Sequence, residues 1–447
     1  MSIISLLVLT LLGLFIRKSE DLFLLLMTLV FSISWIADEL NLLPHFFTWS
    51  IEVLIVTLFS IFLLPKIVFL REIKITPIGK YFIFLVLYGI LGSIIYAINF
   101  SSILMGLRSF FKYGFLFLIF INSNISQHMY RKLFKYWMLI LAIQPIIGLY
   151  QYFVEKKVGD SVHGSFTDTG MLGMLLIIFI ICLIDLINMK IMNNYILYFL
   201  IFLSMTVVPI LGEVKAFFYI LPIIFFIRYF ESIRLIRLKN AILITIPFVI
   251  SVYLFQNFFD GVNVFDFTSI NISNFTFRQG VESLNLLGDN DANTVAISLS
   301  ERFLSLLATF NFLTNDFSRI FFGDGLGSHI FTYESRAVFS LFSTEEYLMK
   351  FSLARFITNM GAIGLLIFYY MLIRFSYYAY KSSQFIDDQF FISIYKIIPA
   401  FSVLFCISMI YTEPFEEYIS FSYWFFISSL MYVPELRAKN KVNYFHE

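Results

Sequence analysis

Apolar residues in this chain run in solid blocks, and polar residues collect in the gaps between them. "YFIFLVLYGILGSIIYAINF" (Tyr81 to Phe100) and "AILITIPFVISVYLF" (Ala241 to Phe255) are two such blocks. A helix needs about 20 apolar residues to cross a bilayer, whereas a membrane strand would alternate apolar and polar positions. The pattern therefore predicts an all-α polytopic integral membrane protein. Blocks near 2–16, 22–36, 47–65, 81–100, 109–123, 136–154, 170–188, 195–211, 216–230, 241–255, 353–373, 391–411 and 415–433 amount to about 12–13 transmembrane helices. The first block starts at Met1 with no basic residue before it and no small-residue cleavage site, which predicts a retained span rather than a signal peptide.

One gap is far longer than the others. Residues 256–352 are too long for an idle connection and too polar to face lipid. Within them, "SLSERFLSLLATFNFLTND" (Ser298 to Asp316) repeats its apolar residues at helical spacing, so an amphipathic helix along the membrane surface is expected. The resulting organisation is an N-terminal bundle of about ten spans over 1–255, a large loop over 256–352, C-terminal spans over 353–433 and a tail over 434–447. Neither an internal repeat nor a low-complexity tract stands out.

Positive charge orients the bundle. Alternate short loops carry Arg17 and Lys18; Lys66, Arg71, Lys74 and Lys80; Arg131, Lys132 and Lys135; and Arg228, Arg234, Arg237 and Lys239. The tail adds Arg437, Lys439 and Lys441, whereas "TEPFEEY" (Thr412 to Tyr418) has three Glu and no Lys or Arg. The basic set belongs in the cytoplasm, which places the C-terminus inside and the large loop on the extracytoplasmic face. Composition agrees: 60% of residues are hydrophobic and 14% charged, more oil than one soluble core could hide. A net charge of +1 offers no global field for nucleic acid. Cys182 and Cys406 both fall in predicted spans, so no disulfide framework is expected.

Cations on the outer side run against that bias and need a reason. They are Arg108 and Lys112 in "GLRSFFKYG", Lys215 in "LGEVKAFF", Arg302 in "SERF" and Arg336 in "YESRAVF", with Arg278, Arg319, Lys350 and Arg355 as weaker companions. Guanidinium and ammonium groups under a loop suit a pyrophosphate, because Arg forks pair with phosphate oxygens. Plainer roles stay open for each: headgroup snorkelling for Arg108 and Lys112, and local acids for Lys215, Arg302 and Arg336. The loop also holds "GDGLGSH", Gly323 to His329. Gly323, Asp324, Gly325 and Gly327 are ordinary turn chemistry, yet glycines there also permit a nest of N–H groups facing an anion. His329 ends the elbow as a candidate base, and His163 in "SVHGSFTDTG" lies near Asp160 and Asp168 on another outer loop. The tight ligand spacings of a metal site are absent.

Several of these pieces resemble one family, the O-antigen polymerase and O-antigen ligase superfamily. "SERFLSLLATFNFLTNDFSRIFFGDGLGSH" is similar to its Arg-bearing helix followed by a Gly-x-Gly-x-Gly turn. "EEYLMKFSLARFITNMGAIGLLIFYYML" resembles its approach to the next span, here with Gly361 and Gly364. "HGSFTDTGMLGMLL" resembles its external Gly-x-Phe turn, and "LGEVKAFFYILP" its short outer turn. The resemblance covers scattered blocks within about residues 100–375.

By that resemblance Arg302 holds the lipid pyrophosphate, Lys215 stands where a second Arg is usual, and His329 falls near an acceptor-activating His. Lys215 keeps the charge and loses the bidentate fork. "GDSVHG" lacks the Arg that usually precedes the Gly-x-Phe turn, for which His163 or Lys157 are possible substitutes. The expected catalytic set is His329, Arg302 and Lys215; Arg336, Arg108, Gly323, Asp324, Gly325, Gly327 and His163 are expected to bind substrate. The implied activity is an O-antigen (surface polysaccharide) polymerase. It moves a polyprenyl-pyrophosphate-linked glycan onto the non-reducing end of another lipid-linked repeat, with no cofactor. Its implied partners are undecaprenyl-pyrophosphate-linked oligosaccharide, inner-membrane lipid, a chain-length regulator and a flippase. Two alternatives stay open: an O-antigen ligase acting on lipid A-core, and a flippase or other transporter.

Overall fold

The computed structural model describes residues 19–40, 42–69, 73–123, 125–166, 168–189, 194–229, 248–250, 253, 309, 313–314, 316–328, 352–412, 414–415 and 418–443. Among these there is no strand; the chain is a membrane-embedded all-α protein. The main helices among the described residues are α1 (Ser19–Ser34), α2 (Ser50–Phe62, followed by a short helix Leu64–Val68), α3 (Pro77–Ile95), α4 (Phe100–Asn122), α5 (Gln127–Phe153), α6 (Thr169–Asn188) and α7 (Asn194–Leu211). They continue with α8 (Lys215–Tyr229), a short α9 (Phe317–Phe322), α10 (Ser352–Ser383), α11 (Gln389–Tyr411), α12 (Tyr418–Ser428) and α13 (Val433–Asn443).

Among the described residues, seven helices are long and apolar enough to cross a membrane: Phe47–Val68, Ile78–Ile95, Phe100–Asn122, Gln127–Phe153, Thr169–Asn188, Ser352–Ser383 and Gln389–Tyr411. Asp21–Ala37 and Ile196–Leu211 are shorter apolar helices. The number expected from sequence was larger. The expected span at 2–16 lies outside the described residues, as does most of 241–255. Those at 216–230 and 415–433 form α8 and the shorter α12, the latter running on through a 3-10 turn into polar α13.

Helix starts are written in the side chains. Thr76, Asn99, Ser126, Asp168 and Asp388 each accept a hydrogen bond from a first-turn amide of the helix that follows, a group the helix itself leaves unpaired. The bundle is organised about α6, whose most apolar window is 94% enclosed by protein, against 28% for the Phe47–Val68 span. Helices α5, α7, α8, α11 and α12 surround it. A helix apolar on every face can be enclosed this way without exposing a polar stripe.

Contacts between loops sort the helix ends into two sets. Lys66 Nζ donates to Asn122 O at 2.8 Å, Tyr432 Oη to Ile125 O at 2.9 Å, and Arg437 Nη2 to Ser382 Oγ at 3.3 Å; Arg131 pairs with Asp388. The positively charged loops thus converge on one end of the bundle. In α6, Asp185 accepts from Arg228 and Tyr229 of α8, both at 2.7 Å, and from Ser393 of α11. The opposite end gathers Glu39, the 155–168 segment, the α7–α8 turn and the elbow at 323–328. The C-terminal helices pack within the same bundle as the N-terminal ones, α10 on α3, α11 on α6 and α8, and α12 on α4.

Candidate functional site

The glycine elbow is a clasp wedged among three helices. Asp316 caps α9 by accepting from Ser318 N at 2.9 Å, and Tyr96 Oη meets Ser318 Oγ at 2.6 Å. Tyr88 Oη donates to Phe321 O, and the Tyr88 ring stacks on Phe322. The chain then enters the bundle with Leu326 fully buried. Asp324 N donates to Thr358 O at 2.7 Å and Gly327 N to Asn359 Oδ1 at 2.9 Å. Gly323 N, Gly325 N and Ser328 N donate within the elbow and to α9. Asp324 is held by Arg319, Nε to Oδ1 at 3.0 Å.

Gly327 and Gly361 are required by contact as well as by conformation. At Gly327, with φ +82°, a Cβ would stand 1.8 Å from Ser102 O of α4. At Gly361, with φ +74°, α10 breaks, and a Cβ would stand 2.4 Å from Phe321 O. The expectation that Gly323, Gly325 and Gly327 turn their amides to an anion thus meets a different geometry. These amides are committed to protein acceptors.

Arg108 lies within α4, two turns past its start, rather than in a loop ahead of a span beginning near 109. Its Nε and Nη2 reach Glu52 Oε1 of α2 at 3.2 and 3.0 Å, and its guanidinium stands 4.3 Å from the Trp49 ring centroid. Lys112 Nζ lies 3.6 Å from the same oxygen. Glu52 Oε2 is buried with no hydrogen-bond partner among the described residues. Among the described residues, two cations thus share one carboxylate, a surplus of one positive charge. Sequence reasoning missed Glu52, although a lone acid inside "SIEVLIVTLFSIF" was itself a signal that a cation had to face it.

His163 belongs to a buried turn tied to α5. Gly164 and Gln151 exchange two hydrogen bonds of 2.8 Å, and Ser165 N donates to Gln144 Oε1 at 2.8 Å. Phe166 stacks on Tyr418 with centroids 4.2 Å apart. His163 Nε2 lies 3.2 Å from Glu39 Oε1, and its Nδ1 is buried without a partner among the described residues. Lys157 also binds Glu39, and its hydrogen bond, with the charges of His163 and Lys157, outweighs burial and holds the Glu39 carboxyl below its ordinary range. Burial lowers the Lys157 ammonium, but Glu39 and Glu155 more than reverse that and leave it raised. Toward an ionised Glu39, Nε2 is the donor nitrogen of the imidazole. Burial pushes the Asp168 carboxyl up, opposed by the Gly170 and Met171 amides.

Lys215 opens α8 half-buried, its N–H donating to Glu213 O at 2.8 Å. Glu213 has φ +53°, and its carboxylate stands against Gly159 of the His163 segment. Gly212 packs on Val162 and Thr169. Lys215, His163, Arg108 and the elbow therefore share the end opposite the basic loops. Arg302, His329 and Arg336 lie outside the described residues, as does most of the expected amphipathic helix at Ser298 to Asp316. Compared with protein-family models and with curated proteins, the chain matches none.

Proposed function

We propose that the chain is a membrane glycosyltransferase of the O-antigen polymerase kind, acting on the periplasmic side of an inner membrane, at the end away from the basic loops, which the charge bias makes extracytoplasmic. The observation that carries it is where the elbow leads. Gly327 is seated on Ser102 and Gly106 of α4, the helix that bears Arg108 and Lys112, and His329 comes two positions later in the sequence. The described end of the elbow thus stands on the helix whose two cations meet at Glu52. The donor is half isoprenoid and half sugar, which suits cations set at the rim of an apolar bundle.

In the reaction, the bond between the anomeric carbon and a pyrophosphate oxygen breaks, and the electron pair leaves with the pyrophosphate. An acceptor hydroxyl oxygen forms the new glycosidic bond, and its proton passes to His329. Arg302, Lys215 and the Arg108–Lys112 pair oppose the charge growing on the leaving group, as preorganised cations do best in a dry site. His163, backed by Glu39, lies at the same end as a second imidazole for acceptor binding.

Deletion of the gene in its host, followed by gel analysis of surface polysaccharide, tests this. Loss of a polymerase leaves lipid A-core carrying a single repeat, and the wild-type gene restores the ladder. Arg302→Ala, Lys215→Ala and His329→Ala should each cut polymer by about 100-fold or more, as loss of one charge-stabilising group does. Full restoration by all three would remove the site assignment. A bare lipid A-core in the deletion strain would point to a ligase or flippase instead.

A further inference from the structure

At the basic end, a groove of about 590 Å³ lies between α3 and α10. Tyr81 and Phe84 form one wall, and Ile363, Leu366 and Tyr370 the other, with Lys80 at its mouth. Phe84, Leu366 and Tyr370 are more than half exposed, so in a membrane the groove opens sideways into lipid. Tyr370 meets Tyr81 edge-on at 5.8 Å, and the Arg374 guanidinium stands 5.6 Å from the Tyr81 ring centroid. Lys80 and Arg374 thus flank Tyr81, both exposed, and neither has a carboxylate within ion-pair distance among the described residues.

We infer that this groove is a binding site for an anionic phospholipid of the leaflet at the basic end. The walls are apolar where an acyl chain would lie, over about 10 Å of helix from Ile363 to Tyr370 at 1.5 Å per residue. The cations stand only at the end where a headgroup would lie. Arg374 offers a planar fork and Lys80 a point charge to the phosphodiester, and the two tyrosines sit at headgroup level, where amphipathic rings collect. A neutral lipid would leave both cations unanswered, and a soluble anion would leave the apolar walls exposed. A site between helices on the positively charged side is the usual setting for recognition of such headgroups. The inference does not rest on the glycan-transfer proposal, since it concerns the opposite end of the bundle.

The test is native mass spectrometry of the full chain in detergent, incubated with equal amounts of phosphatidylglycerol and phosphatidylcholine. The wild type should retain phosphatidylglycerol over phosphatidylcholine by roughly tenfold, the preference two near-surface cations can supply. In the double variant Lys80→Ala, Arg374→Ala that ratio should fall to about one. Leu366→Trp keeps both cations and fills the wall, and it should lose retention of both lipids. All three positions are exposed, so the bundle does not depend on them. Equal retention by the wild type, or an unchanged ratio in the double variant, overturns the site. A Leu366→Trp protein that still holds phosphatidylglycerol would mean surface attraction without a groove and would also overturn it. So would a lipid-free dimer that Leu366→Trp converts to monomer, because the occupant would then be a second copy of the chain.

Discussion

Gly327 shows how much one side chain, or the lack of one, can decide. Gly327→Ala sets a Cβ against Ser102 O and asks an L residue to hold φ +82°, so a loss of about 2–4 kcal/mol is expected, read as a lower Tm in detergent. A Gly323–Ser328 segment merely lying on the surface would tolerate the change. Glu39 makes a prediction of a different sort. Its carboxyl is held below its ordinary value near 4.5, so its contribution to stability is complete above that pH. It is lost as pH falls through the lower folded-state value. Lys157 is raised above its ordinary 10.5, so its contribution is complete below that and lost as pH rises through the higher folded-state value. Thermal unfolding across pH should therefore show an acid limb that shrinks in Glu39→Gln and an alkaline limb that does not depend on His163. The turn at 163–166 was recognisable from its residues. Its partner Glu39 was not, because it lies more than 120 positions earlier in the chain and only folding joins them.

At the scale of elements, solid apolar runs located the spans well. The blocks near 170–188, 195–211 and 391–411 became Thr169–Asn188, Asn194–Leu211 and Gln389–Tyr411. Where the expectation slipped, charge was the cause. Arg108 interrupts the apolar run just before the expected start at 109, yet α4 begins at Phe100 because Asn99 caps it and Glu52 answers both Arg108 and Lys112. The same logic holds at the basic end, where Asp185 joins α6 to α8 and α11. Removing one member of that buried pair, by Asp185→Leu or Arg228→Met, should cost about 3–5 kcal/mol. The double variant should recover most of the loss, because the penalty comes from a buried charge left alone. A thermal double-mutant cycle reads this directly, and additive single losses would show that the two residues act independently.

For the whole molecule, alternation of charge across loops foretold two chemically distinct ends, and contacts such as Lys66 with Asn122 and Arg437 with Ser382 bring the basic loops to one of them. The elbow was less transparent. Its composition announced a turn, but its destination among α3, α4 and α10 depended on acceptors at Thr358 and Asn359, which no local pattern reveals. Helix α6 carries one more implication. With 94% of its apolar window enclosed, it has almost no boundary with lipid and cannot register how thick the bilayer is. Any stretching or thinning of the host membrane would be absorbed by tilting of rim helices such as Phe47–Val68. The axis that sets the separation between Asp168 and Asp185 would keep its length from one membrane to the next.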